Sequence, residues 1–134
     1  MIRVGLSSNL AEPLNTCTVI KWDTVGTNNF NNDYNNYFSL LPNGYIQINN
    51  DNIKMVIATV SCQIMGATLD YLYINKAGYG RFGTQLFNGG GYTLTCCIPV
   101  SKGDQINAEI YPTGRDNCYI NSWSDSTFFQ ITAI

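Results

Sequence analysis

The chain contains no histidine. That absence removes every Ser/His and Cys/His nucleophile pair and every imidazole metal ligand, the commonest devices for acid–base and hydrolytic chemistry near neutral pH. Charge is scarce as well. Asp, Glu, Lys and Arg make up 12% of 134 residues and the net charge is -2, so there is no basic track for a phosphate backbone and nucleic acid is not an expected partner. No apolar run approaches bilayer-spanning length and no charged-then-apolar leader opens the chain, so membrane insertion is not expected either. Asparagine is frequent, yet none stands in an Asn-x-Ser/Thr acceptor, and nothing supports a glycosylated, secreted origin.

The remaining routes to catalysis are thin. Asp23, Asp33, Asp51, Glu109, Asp116 and Asp125 each lie near a turn or on a polar strand face, where a carboxylate is solvated or caps a backbone amide. Asp116 and Asp125 share one segment, but their spacing matches no calcium-ligand motif. Gly89-Gly90-Gly91 lacks the following helix and the Lys-Ser/Thr pair of a phosphate loop. The expectation is a protein that is not an enzyme and uses no metal or cofactor.

What the sequence does contain is strand pattern. Five cysteines, Cys17, Cys62, Cys96, Cys97 and Cys118, are an odd number without zinc or redox spacing, and they read as free thiols in a chain made in a reducing cytoplasm. Aromatic residues reach 13% and turn formers abound, which marks a folded all-β chain of one domain, residues 1–134. Residues 91–111, GYTLTCCIPVSKGDQINAEIY, read as a hairpin: Leu94, Cys96 and Ile98 share one face, Ile106, Ala108 and Ile110 another, and Gly103 lies in the turn between. The longest apolar run, Ile53 to Met65, sets Val56, Ala58, Val60, Cys62 and Ile64 against Met55, Ile57, Thr59 and Ser61. A strand apolar on both faces is central in a sandwich or lies against another subunit.

Further strands are expected at Ile2–Leu6, Cys17–Trp22, Phe38–Leu41, Gly44–Ile48, Asp70–Asn75, Arg81–Phe87 and Thr127–Ile134, with long loops over Asp23–Tyr37 and Pro112–Ser126. Strands this short, with turns this regular, form an antiparallel β-sandwich or barrel, and a jelly roll accommodates so many edges.

The order Thr18-Val19-Ile20-Lys21-Trp22-Asp23 and Asn28, Phe38, Pro42-Asn43-Gly44-Tyr45, Leu72-Tyr73-Ile74-Asn75-Lys76 and Gly78, Lys102-Gly103-Asp104-Gln105-Ile106 and Ser126-Thr127-Phe128 resembles the globular head of complement C1q and the wider tumour necrosis factor-like jelly rolls. The closing Phe129-Gln130-Ile131 departs from the Ser-Gly pair usual there. The resemblance implies a homotrimer built on the sheet that contains residues 53–65, 92–98 and 127–134. Its second face would present Met55, Ile57, Cys97 and either Phe128 or Phe129 to the neighbouring subunits.

Counting connections back from the C-terminus puts residues 66–68, 88–91 and 112–126 at one end of the sandwich, opposite the chain ends. The last of these carries Arg115, Asn117, Tyr119, Asn121 and Trp123, groups suited to stacking on sugar rings and reading hydroxyls. The expected function is therefore recognition. A trimeric head of a phage fibre or receptor-binding protein, carried on the virion surface and directed at a bacterial surface saccharide or protein receptor, accommodates the asparagine richness, the free thiols and the missing export signals. A structural virion or spore-surface decoration protein and a secreted C1q-like protein-binding domain are the alternatives.

Overall fold

The computed structural model describes residues 1–26, 34–88 and 90–134, with the backbone alone for Tyr34, Arg115 and Asp116. Asn28 and Asp33 lie outside the described residues. The strands are β1 (Ile2–Gly5), β2 (Leu10–Ala11), β3 (Thr18–Val19), β4 (Thr24–Val25), β5 (Phe38–Leu40) and β6 (Ile46–Ile48), followed by β7 (Met55–Lys76), β8 (Gly80–Phe87), β9 (Gly90–Pro99), β10 (Gln105–Ile120) and β11 (Phe128–Ala133). A 3-10 turn, Tyr34–Asn36, precedes β5.

The architecture follows from β7, whose 22 residues pass through both layers of a sandwich. Residues 55–64 pair antiparallel with β9 on one side, while residues 56–61 pair with β11 on the other; β11 in turn pairs with β1, and β1 with β4. Residues 69–76 belong to the second layer, between β8 and β10, where β10 continues to β6 and β5 and also pairs with β3. The strand changes layer at Gly66, whose φ of 85° is open to glycine at little cost. Both halves alternate, so Val56, Ala58, Val60, Cys62 and Ile64 from the first and Leu72 and Ile74 from the second meet across one core. Trp22 and Phe129 stack at its centre with ring centroids 6.0 Å apart.

Three expectations change. Residues 91–111 are not a hydrogen-bonded hairpin: β9 pairs with the first half of β7 and β10 with the second, so residues 100–104 cross from one layer to the other. Each arm alternates as expected, but alternation does not name a strand's partner. The expected loop 112–126 is strand as far as Ile120, because β10 follows β7 round its bend through register shifts at Gly114. Residues 66–68 likewise lie within β7 and are no turn. Shorter strands, β2 and β4, also lie inside segments 7–16 and 23–37 that carry no strand pattern.

At the end that holds both termini, Lys76 ties the crossover down. Its Nζ donates to the Pro99 carbonyl at 2.8 Å, lies 3.7 Å from Asp104 Oδ2 and sits 4.1 Å from the centroid of the Tyr79 ring. Two glycines with nearly the same φ separate the demands of conformation from those of space. A Cβ at Gly66 would meet the Asn117 carbonyl oxygen at 2.7 Å, whereas one at Gly78, φ 84°, meets nothing within 4 Å. Gly78→Ala should cost about 1 kcal/mol and Gly66→Ala about 3 kcal/mol or more, read as midpoint shifts in urea unfolding; equal costs would show that the bend tolerates a side chain.

Candidate functional site

The pole opposite the chain ends is built where β7 bends. Asn121 N donates to the Gln63 carbonyl at 2.8 Å, Ser122 N to Asn9 Oδ1 at 3.0 Å, and Glu12 N to the Cys118 carbonyl at 3.0 Å, so the segments around residues 9–12, 63–67 and 114–126 converge there. Gly90 pairs with Ile64 at the same level. Leaving aside residue 89, which lies outside the described residues, the three connections expected at one end do meet, although strand runs into each of them.

Trp123 crowns this pole and is 61% exposed. A tight turn presents it: its amide donates to Asn121 Oδ1 at 2.9 Å and its carbonyl accepts from Ser126 and Thr127. Asn121 is itself buried, so its side chain positions Trp123 and is not free to read a ligand. Asn117 is exposed with φ 63°, and Tyr119 is half-buried, paired with Ala11. Cys118 and Ile120 take the core face of that strand, which leaves Asn117 and Tyr119 on the outer one. The side chain of Arg115 lies outside the described residues. Trp123, Asn117 and Tyr119 therefore remain the described candidates for contact.

A cleft of about 270 Å³ opens on the layer of β1 and β11, lined by Arg3, Val4, Thr24, Asp125, Thr127 and Phe128 among others. The Arg3 guanidinium lies 4.1 Å above the Phe128 ring and its Nε donates to Gln130 Oε1 at 2.9 Å. Below the cleft the outer face of the same layer turns apolar. Met55 is 38% and Ile57 36% exposed, Cys97 and Pro99 are exposed, and the register sets Ile57 between Cys97 and Thr132. Phe128 belongs to this face, half-buried. Phe129 does not: it is wholly buried, because its alternate position on β11 turns it onto Trp22.

Two groupings escape sequence reasoning. On the outer face of the second layer the register aligns Leu86, Tyr71 and Tyr111 in one row, with Tyr73 beneath the Arg81 guanidinium at 3.7 Å. The Tyr71/Tyr73 alternation was visible, but the neighbours were not, since they depend on register. The other is a pair of acids inside the core. Asp70 shares the inward face of β7 with Leu72 and Ile74, and Glu12 turns inward from the segment after β2; both are buried. Burial raises Glu12 to about 7 and Asp70 to about 6, the latter partly offset by the Tyr92 hydroxyl. Among the described residues no group of three or more Cys, Asp or Glu is arranged to hold a metal ion.

No family model matches the chain, and no curated protein matches it. Solved structures do. Murine APRIL at pH 8.0 superposes with a TM-score of 0.69 over 99% of this chain and 97% of that one, at 6% identity. Eiger TNF from S. frugiperda gives 0.64 over 99% and 90%, at 11% identity. The fold is a tumour necrosis factor-like jelly roll. The resemblance read from the sequence order is thus matched by the path of the backbone along nearly the whole chain.

All five cysteines are free, with Cys17 and Cys97 exposed and Cys62 and Cys118 buried. Burial pushes the Cys62 thiol up strongly and Cys118 to about 11. Dithiodipyridine at mildly acidic pH should therefore label Cys17 and Cys97 promptly in the native protein and spare Cys62 and Cys118, with all five reacting after denaturation. A native protein in which Cys62 reacts as fast as Cys97 would contradict the packing of β7 against β10.

Proposed function

We propose that the protein is a non-enzymatic recognition module that works as a homotrimer. The outer face around Met55, Ile57, Cys97 and Phe128 is the subunit contact, and the pole around Trp123 is the ligand contact. The observation that carries the reading is Trp123: a large aromatic side chain, 61% exposed, on a backbone fixed by hydrogen bonds at its own amide and carbonyl. Exposed aromatics held rigidly are the usual anchors of binding surfaces. The jelly-roll fold supports the trimer, as do two exposed apolar side chains on a central strand, which assembly would remove from water.

The finer reading is that this is the head of a phage fibre or receptor-binding protein, assembled in cytoplasm and displayed on the virion, with a bacterial surface saccharide as its ligand. An indole, the Tyr119 ring and the Asn117 amide suit sugar C–H faces and hydroxyls, and free thiols suit assembly in a reducing compartment.

Light scattering at micromolar concentration should return the trimer mass, and Ile57→Lys should shift it to monomer while the circular dichroism spectrum stays that of a β-sandwich. A wild-type monomer would remove the subunit-contact argument. Separately, Trp123→Ala should weaken binding to glycan arrays or host cells about tenfold or more with trimer mass and melting temperature unchanged. A lowered melting temperature with binding intact would make the indole a packing element.

A further inference from the structure

Segment 7–16 crosses the Trp123 pole as a strap. Leu10 and Leu14 are half-buried against the core, and the alternate position between them, where a third apolar residue would be expected, is Glu12. At its start Ser7 donates to Asp23 through both its amide, at 2.8 Å, and its hydroxyl, at 2.6 Å, and beyond that few bonds hold the strap. Leu10 and Ala11 pair with Ile120 and Tyr119, Glu12 N donates to the Cys118 carbonyl at 3.0 Å, and Asn15 N to the Pro112 carbonyl at 2.7 Å. Asn9 Oδ1 in turn accepts from Ser122 N, one residue before Trp123.

The environment of Glu12 is wrong for a charge. Its Oε1 finds no hydrogen-bond partner, and neither oxygen of Asp70 closes a bond of good geometry, even with the Tyr92 hydroxyl that bears on it. Both acids lie where the strap meets β10: Asp70 pairs with Pro112, whose carbonyl accepts from the strap's Asn15 N, and Glu12 N bonds the carbonyl of Cys118. Among the described side chains, the titratable groups near the acids are Cys62 of β7, Cys118 of β10 and Tyr92 of β9, with the Phe87 ring of β8 stacked on Tyr92 at 4.1 Å. Among the described side chains, which do not include Arg115, no lysine or arginine acts on either acid. A neutral carboxylic acid is tolerated there, whereas a carboxylate without cation or donor is costly.

We propose that Glu12 and Asp70 form a proton-operated latch: protonated, they seat the strap against the core, and on ionisation they release it together with the Trp123 turn that Asn9 pins. The sign follows from the direction of both shifts. Acids that hold protons more tightly folded than unfolded stabilise the closed form at low pH, and that contribution is lost as pH climbs from near 4.5 through about 6 and about 7. The latch concerns the protein alone and stands whether or not the ligand is a saccharide.

The test is amide hydrogen exchange of the whole protein, corrected for intrinsic rates, at about pH 5 and about pH 8. The Glu12 amide should lose protection at least about tenfold relative to ladder amides of β7 and β9 as pH rises. In Glu12→Gln/Asp70→Asn, where both side chains are permanently neutral, that loss should vanish. An independent reading on the wild type is the infrared carbonyl band of a protonated carboxylic acid, present at about pH 5 and gone by about pH 8, which decides the matter even if the double variant fails to fold. Protection independent of pH, an equal loss in the double variant, or no such band would each overturn the latch.

Discussion

Everything in this molecule depends on one strand changing layers. β7 supplies an interior strand to both sheets, and its two halves present their inward residues to each other across the core. A strand can do this only if its backbone turns without losing its ladder. Gly66 provides the turn, and β10 follows it, with Gly114 opposite Ala67 and Tyr119 opposite Met65. Hydrogen bonding therefore links the eleven described strands into one network, although the packing is that of a sandwich. The bend also determines where the candidate recognition surface can be, since the segments that converge on Trp123 are those that flank it.

The two outer faces have different chemistry for the same geometric reason. On the first layer, the half near the chain ends is apolar through Met55 and Ile57, while the half near the cleft is polar, with Thr59 and Thr95 hydroxyls 3.0 Å apart and Arg3 bonded to Gln130. On the second layer the tyrosine row is flanked by a hydrogen-bonded polar group: Cys17 donates to Glu109 Oε2 at 2.6 Å, and Asn75 donates to Asn107 at 2.9 Å and to Glu109. One face is suited to close burial against a like surface. The other carries polar side chains that bond one another, with Asn75 Oδ1 left without a partner.

Local pattern made much of this legible. Alternation sorted Val56 to Ile64 from Met55 to Ser61, put Cys96 and Cys97 on opposite sides, and identified Ile106, Ala108 and Ile110 as core. It could not say that residues 92–98 and 105–111 belong to different layers, because period-two patterning defines a face and not a neighbour. Pro112, Gly114 and the Asp116-Asn117 pair look like loop residues, yet they lie within one strand: Pro112 keeps its register opposite Asp70, while Gly114 and Asn117, both at positive φ, lie where the register shifts. Phe128 and Phe129 were indistinguishable until the register of β11 against β7 assigned one to each side. Glu12 and Asp70 were obscured by a general expectation that carboxylates face water, although Asp70 stands in phase with Leu72 and Ile74.

The placement of the chain ends has a mechanical side. Ile2 pairs with Ile131, and Ile134 N donates to the Met55 carbonyl, so both termini emerge at one pole while Trp123 stands at the other. A pull between either terminus and the far pole would run parallel to β1, β11 and β7. Load along the strands is shared by many cross-strand hydrogen bonds at once, in shear, whereas load across them would part the ladder one bond at a time. The jelly roll is thus oriented to resist tension along the axis that joins its ends to its exposed tryptophan.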